Sequence, residues 1–598
     1  MGINRRTDRY TSCGGAIFLT LLVTVLLTAI LPCPARAQTP VLTGQYNNYR
    51  TGANLSETTL TPANVSASTF GLLFSQTVDA NIFAQPLYVP GLTINGAVHN
   101  VAFVATLNNS VYAFDADTLQ PALWQASLGT PVTIGTSSQP AIGILSTPVI
   151  DLNANAIFVV TFTFESGTPV YRLHALNLPT GVEITNIVVQ GAVSGSGDDS
   201  QITSCTSWNG GTVPPPCIPF KANEVLQRPA LLEGTLNSTV YLAFGALNGQ
   251  EITSPYHGWL IGYEYSAGAF TQLMIFNTTQ SKTQTGPACT GTDPASNQCG
   301  HGAGIWMSGR GPALDTTGIY ASTGNGGFGG TGTGNWGESA LRLNSTGAVE
   351  DFFTPFNYAV LNRDDLDLCD GGIILFTSSN LTAPNLMLAA GKTGLVSVLN
   401  RASMGGLASG NAGALQNFTA TTLGCGTGPG LAGCYELHSP ALWNRTSGNS
   451  ALYVWAQGDV LRAWDFNPLT NRFRADTNQG TLTAQDYPGG GLAVSANGNS
   501  NGIVWAIVPT TAANSQVQGT LYAFSASNVA TQLWASTDYW FPTKFSIPTI
   551  ANGKVYVPTS SPATASPAYA PALRVYGLCG SCSSQSHMSP RQQRASKP

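Results

Sequence analysis

Short apolar runs, each broken by a polar turn, recur along this chain with β-type alternation. The phrases SVYAFDADTLQPALW, PVYRLHALNLPTG, GWLIGYEYSAGAF, ESALRLNSTGAVEDF, GLVSVLNRASMGG, DVLRAWDFNPLTNRF, GTLYAFSASNVATQLW and PALRVYGL are variants of one pattern. Their strand starts lie near Val111, Val170, Leu260, Ala340, Leu395, Val460, Leu521 and Leu573, 52 to 90 residues apart, enough for four short strands and their loops. Ahead of most copies stands a second pair of β-rich runs around a polar turn, as in STPVIDLNANAIFVVTF, RPALLEGTLNSTVYLAFG and IPTIANGKVYVPTS, the signature of a hairpin. A single sheet of this kind cannot bury both faces, whereas radial stacking of eight buries them against each other. The pattern therefore predicts an all-β, eight-bladed β-propeller of four-stranded antiparallel blades. A run of β-sandwiches would also supply short strands, but it does not predict one strand-turn phrase repeated eight times. The segment FGLLFSQTVDANIFAQPLYV has no copy before it and is expected to supply first-blade strands and close the ring with the last blade.

Composition agrees with this reading and narrows the partners. Only 9% of the 598 residues are charged, against roughly 25% in ordinary domains. The 66 glycines and 36 prolines suit strands joined by turns. The net charge is −5 and Lys and Arg do not cluster outside the two ends, which excludes the basic footprint of a nucleic-acid binder. At the N-terminus, NRRTDRY, an apolar run of 16 residues and PARA before Gln38 form a basic region, a hydrophobic core and an A-x-A site. The run is short for a membrane span, which needs roughly 20 residues. The expectation is a signal peptide over 1–37, a propeller over 38–578 and a disordered polar tail over 579–598. The mature chain would then have no stable membrane span and would be secreted or periplasmic, with a retained anchor as the alternative.

Eleven cysteines, nine of them beyond the signal segment, fit an oxidising compartment. Cys205 with Cys217, Cys289 with Cys299 and Cys425 with Cys434 are candidate pairs by proximity, although sequence does not fix connectivity. Cys579 and Cys582 read as a terminal clip, and Cys369 is left over. Nine Asn-x-Ser/Thr sequons, Asn54, Asn237 and Asn444 among them, are acceptor sites only in a host that glycosylates.

The stretch GIWMSGRGPALDTTGIYASTGNGGFGG, residues 304–330, concentrates candidate chemistry. Together with the repeat phrase VYAFDADT…LW it resembles the quinoprotein (PQQ-dependent) alcohol dehydrogenase-like propellers, whose blades carry pyrroloquinoline quinone (PQQ) repeats. The resemblance runs from about Gly44 to Leu578 and is strongest over 250–402. It implies a central calcium and a flat PQQ in an axial funnel. By this resemblance Trp306 matches the tryptophan under the PQQ ring, and an indole floor suits a planar quinone. Asn325 matches the asparagine that ligates calcium, a hard cation that takes oxygen ligands. Asp367, in RDDLDLCDGG, matches the general base, Lys392, in AAGKTGLVSVLNR, the cation that hydrogen-bonds the quinone oxygens, and Glu251 roughly fits the carboxylate calcium ligand. Asp367 would thus serve both as base and beside the metal.

Each residue has an ordinary rival role. Trp306 could pack a blade, as Trp259 or Trp464 would; Asn325 could hold a turn; Asp364, Asp365 and Asp370 compete with Asp367; Lys392 could be a turn lysine. The chain also departs from the family pattern. It has no Cys-Cys pair, RDDLD stands where the family has HDEWD, and there is no Cys-x-x-Cys-His haem site, so electrons would need a separate acceptor. Two readings follow: a calcium- and PQQ-dependent dehydrogenase oxidising an alcohol or sugar, or a cofactor-free propeller binding carbohydrate or protein at its funnel. A polysaccharide hydrolase or lyase is a third, because His257, His301 and His438 fall in loops, although isolated loop histidines are ordinarily just polar loop residues and none is assigned a role. The first requires Trp306, Asn325, Asp367 and Lys392 to converge on one axis with Glu251.

Overall fold

In the computed structural model the eight repeat phrases form the third strand of eight consecutive sheets. The structure describes residues 1–2, 38–134, 141–234, 238–247, 255–282, 300–421, 437–445, 450–474, 478–511, 517–561 and 570–580. The chain divides into two compact units, Met1–Gln38 and Thr39–Pro598, and the propeller is the second. Each blade is an antiparallel meander. The first runs Leu87–Ile94, Ala97–Ala105, Ser110–Asp115, Trp124–Ser127, and the second Val149–Asp151, Ala156–Glu165, Thr168–Asn177, Glu183–Val188. The ring closes as expected: Phe70–Thr77 pairs antiparallel with Ala572–Leu578 of the last blade, with Phe70 opposite Leu578 and Thr77 opposite Ala572. Phe70 then packs on Trp505 and Trp534, with ring centroids 5.3 and 5.0 Å away. This closure excludes a row of sandwiches.

Strands such as Ser110–Asp115 (SVYAFD) are buried on both faces, because each blade is covered by its neighbours. Trp259 and Trp464 lie in such inter-blade packing. The first strands lie innermost, and those of the second to fifth blades, and of the sixth to eighth, touch their neighbours in turn. A proline immediately precedes five of these eight strands (Pro86, Pro148, Pro312, Pro440, Pro548), so the chain enters them extended.

Residues 41–54 occupy the axis and bond to every blade. Val41 exchanges backbone hydrogen bonds with Tyr88, and the carbonyls of Leu42, Asn48, Tyr49, Thr51 and Gly52 accept from the amides of Ile150, Leu314, Leu375, Leu442 and Val494. Arg50 donates to the Leu231 carbonyl in the third blade, and Asn54 to the Ile550 carbonyl in the eighth. This plug was not foreseen. It carries no repeat phrase, and its polar composition reads as an ordinary lead-in.

The Cys205–Cys217 disulfide is present, and Cys369 is free and buried. Cys579 is disulfide-bonded, while Cys582, Cys289, Cys299, Cys425 and Cys434 lie outside the described residues, as does the expected signal segment over 3–37. Among the described residues no helix is long and apolar enough to cross a membrane.

Candidate functional site

Four of the five expected residues come together at one end of the axis. Trp306 precedes the first strand of the fourth blade, Ala313–Asp315, and Asn325 follows the second, Gly318–Ser322. Asp367 precedes the first strand of the fifth blade, Gly372–Thr377, and Lys392 sits in the turn between Asn385–Ala390 and Leu395–Asn400. In an antiparallel blade these two kinds of connection emerge at the same end. Glu251 belongs to the corresponding connection of the third blade, outside the described residues.

Asp367 is the hub. Its Oδ1 accepts the backbone N–H of Asn325 at 2.9 Å and its Oδ2 faces the Lys392 ammonium at 2.7 Å. Lys392 Nζ also donates to Asp365 Oδ1 at 3.1 Å, the same oxygen that accepts Asn325 Nδ2 at 2.7 Å. The ammonium lies 5.6 Å from the centre of the Trp306 ring, within cation–π range. Burial opposes the charge on Lys392, but Asp367 and Asp365 outweigh it and hold its pKa well above the ordinary lysine value. The glycines explain the closeness. A methyl group on Gly324 would lie 2.3 Å from Asp367 Oδ1, and one on Gly326 would lie 2.2 Å from the Ala303 nitrogen. Gly391 likewise admits the Asp367 backbone, whose carbonyl accepts the Lys392 N–H at 3.0 Å.

The carboxylate loop divides. Arg363, in the last turn of helix Tyr358–Arg363, pairs with Asp364 at 2.6 Å, and Asp365 is exposed. Asp367 and Asp370 turn inward. Asp370 accepts Ser308 Oγ at 2.6 Å and the Leu437 N–H at 2.8 Å, and burial pushes its carboxyl up to about 6. Ser308 and Met307 both hold φ of +46, a left-handed turn that sets the angle of Trp306.

Sequence reasoning missed Glu338. It is fully buried, its Oε2 accepts the Leu368 N–H at 2.7 Å, and burial, reinforced by the charge of Asp367, raises its pKa well above the carboxylate range. A lone glutamate just ahead of the ALRL strand in so uncharged a chain was the available signal. Phe545 was missed as well. Its backbone holds φ of +62, and its ring lies 5.7 Å from Trp306 at 44°. The three histidines have structural settings: His257 bonds Thr279 Oγ1 at 2.7 Å, His301 faces Asp198 at 2.6 Å, and His438 packs on Phe545.

The cofactors implied by the resemblance can be tested against these atoms. Asn325 Oδ1 and Glu338 Oε1 are buried oxygens without hydrogen-bond partners among the described residues. Such an amide oxygen beside carboxylates is the donor chemistry calcium takes. Among the described residues no three Asp, Glu, His or Cys side chains converge as a metal group, so a calcium would combine Asn325 Oδ1 and Asp367 with a ligand from elsewhere, such as Glu251. The half-buried indole of Trp306 with a cation over it suits a planar, electron-poor ring. The residues present thus match calcium's donor chemistry in part, through Asn325 Oδ1 and Asp367, and offer one aromatic face for a planar ring.

No family model and no curated protein sequence matches the chain. Solved structures do match in fold. A quinohemoprotein alcohol dehydrogenase from Pseudomonas putida HK5 is 13% identical, with a TM-score of 0.57 over 90% of this chain and 80% of that one. The quinohemoprotein alcohol dehydrogenase from Comamonas testosteroni is 14% identical, with a TM-score of 0.54 and the same coverage. A europium-containing methanol dehydrogenase is 12% identical, with a TM-score of 0.53 over 90% of this chain and 98% of that one. The chain has the eight-bladed propeller fold of the quinoprotein alcohol dehydrogenases.

Proposed function

We propose that this protein is an exported, calcium- and PQQ-dependent dehydrogenase that oxidises an alcohol or sugar at the Asp367 site. The observation that carries the reading is that Asn325 and Lys392 meet on the two oxygens of one buried carboxylate, beside Trp306. PQQ and calcium, when bound, would supply two-electron acceptance and Lewis-acid polarisation of the quinone.

The remaining chemistry falls to the chain. The Asp367 carboxylate takes the proton from the substrate hydroxyl as the carbinol carbon is oxidised. As Asp367 is neutralised, its hold on Lys392 Nζ weakens, which frees the ammonium to donate to the oxygen on which negative charge develops. Asn325 keeps Asp367 Oδ1 in place through its backbone N–H. Trp306 gives the flat floor, held by its left-handed turn. The electrons then pass to a separate acceptor. Export is supported by the basic-apolar-A-x-A start and by the Cys205–Cys217 disulfide, a bond of oxidising compartments. A second reading, a cofactor-free funnel that binds carbohydrate or protein, draws on Phe545, whose ring already contacts Trp306.

Dye-linked oxidation of a panel of alcohols and sugars tests the first reading. With PQQ and calcium supplied, wild type is expected to turn over at least one of them and Asp367→Asn to lose about 100-fold or more in kcat. Turnover by Asp367→Asn at the wild-type rate would remove Asp367 as the base.

A further inference from the structure

Several arginines are buried in the propeller, and they are not neutralised alike. Arg401 faces Asp315 and Arg462 faces Asp459, each a paired cation. Arg50 has no carboxylate, but four of its five N–H groups are bonded: Nε donates to the Pro312 carbonyl at 2.8 Å, Nη1 to Gly44 and Thr43 at 2.7 and 2.8 Å, and Nη2 to Leu231 at 3.0 Å. Arg310 donates to the carbonyls of Arg50 and Pro440. Arg50 and Arg310 also lack a carboxylate, but among the described residues Arg228 makes the fewest hydrogen bonds of the five. It is 6% exposed, and among the described residues its hydrogen bond runs from Nη2 to the Lys544 carbonyl at 3.1 Å. A guanidinium has five N–H donors.

Arg228 stands just before Pro229, where the chain turns onto the axis, and its head lines a small cavity with Gln45, Gln85, Thr147, Gly309 and Phe545. Gly309 makes the room: a methyl group there would lie 2.2 Å from Nη1, and its φ of +82 suits glycine alone. The surroundings add positive charge. Burial first, and then the charges of Lys544, Arg228 and Arg310, depress His438 to about 3. Burial alone lowers Arg228 to about 10, and no carboxylate pulls it back. A largely buried cation without a countercharge is costly, and the Phe83 ring 5.8 Å from the guanidinium offsets this only in part.

We propose that Arg228 anchors a binding site for a small anion at the propeller axis, a halide or one carboxylate oxygen of an organic acid. The lining leaves space for roughly one water-sized group beside Arg228, which favours a halide or a single carboxylate oxygen over the bulkier tetrahedral oxyanions. Two sources share this chemistry: a free inorganic ion, or the carboxylate of a ligand that lies on the neighbouring Trp306. The site does not depend on the dehydrogenase reading.

The test is a bromide soak of full-chain crystals with anomalous diffraction, together with thermal unfolding in chloride, acetate or sulfate at constant ionic strength. A bromide peak within about 3.5 Å of the Arg228 guanidinium is expected. Chloride or acetate, but not sulfate, should raise the unfolding midpoint by about 1 °C at tenfold excess over its Kd. Arg228→Gln should lose that response while Arg228→Lys keeps part of it, and the wild-type soak decides should either variant fail to fold. Displacement of bromide by PQQ would assign the site to a ligand carboxylate, and simultaneous occupancy would assign it to a free ion. Wild-type crystals with neither bromide nor acetate density at Arg228, and no anion-specific shift, overturn the proposal.

Discussion

Gly324 shows how single residues set this site. Any side chain there would collide with Asp367 Oδ1, so the glycines around Asn325 exist to let a carboxylate and a neighbouring strand close on it. A glycine-flanked asparagine can be read from the sequence, and Asp367 and Lys392 follow once the resemblance supplies their spacing. The roles of Glu338, Phe545 and Arg228 could not be read that way, because an isolated Glu, Phe or Arg carries no signal until the fold buries it. Buried titratable groups also set the pH response. Burial chiefly lowers His257 to about 4, so it is neutral when folded and charges at its ordinary value when unfolded. Its contribution to stability is fully present above about pH 6.5 and is lost as pH falls toward 4, at about 1.4 kcal/mol per pH unit. Replacing His257 by Gln should therefore shrink the stability gap to wild type between pH 6.5 and 5 by about 2 kcal/mol. A gap that stays constant across denaturant melts in that range would show that His257 is charged in the fold.

At the scale of elements, the third strands of all eight blades were legible because burial between neighbouring blades demands a recurring apolar core such as VYAF or LRAW in each. Residues 41–54 were not, because a segment that bonds through its backbone leaves little pattern in its side chains. The plug nevertheless touches all eight blades, and Arg50 fills its centre without a carboxylate partner. The amides of Ile150, Leu314, Leu375, Leu442 and Val494, which donate to the plug, are therefore expected to exchange hydrogen as slowly as mid-strand amides. Exchange of these five orders of magnitude faster than their strand neighbours would show the plug to open independently of the blades.

For the whole molecule, the ring brings residues more than 80 positions apart in the chain onto one axis, and closure through Phe70–Thr77 holds that geometry. The blade count and ring closure followed from one repeated phrase, whereas the convergence of Trp306, Asn325, Asp367 and Lys392 needed the fold to be seen. A shared fold with quinoprotein dehydrogenases does not by itself assign chemistry. The central claim is that these four residues hold PQQ together with calcium. The direct test is titration of the purified full chain with PQQ, with calcium or with chelator, followed by absorbance and repeated on Asn325→Ala and Trp306→Ala. Saturable binding that requires calcium and weakens at least about tenfold in both variants, roughly 1.4 kcal/mol each, is the expected result. Absence of PQQ binding by the folded wild-type chain at every calcium level would contradict it.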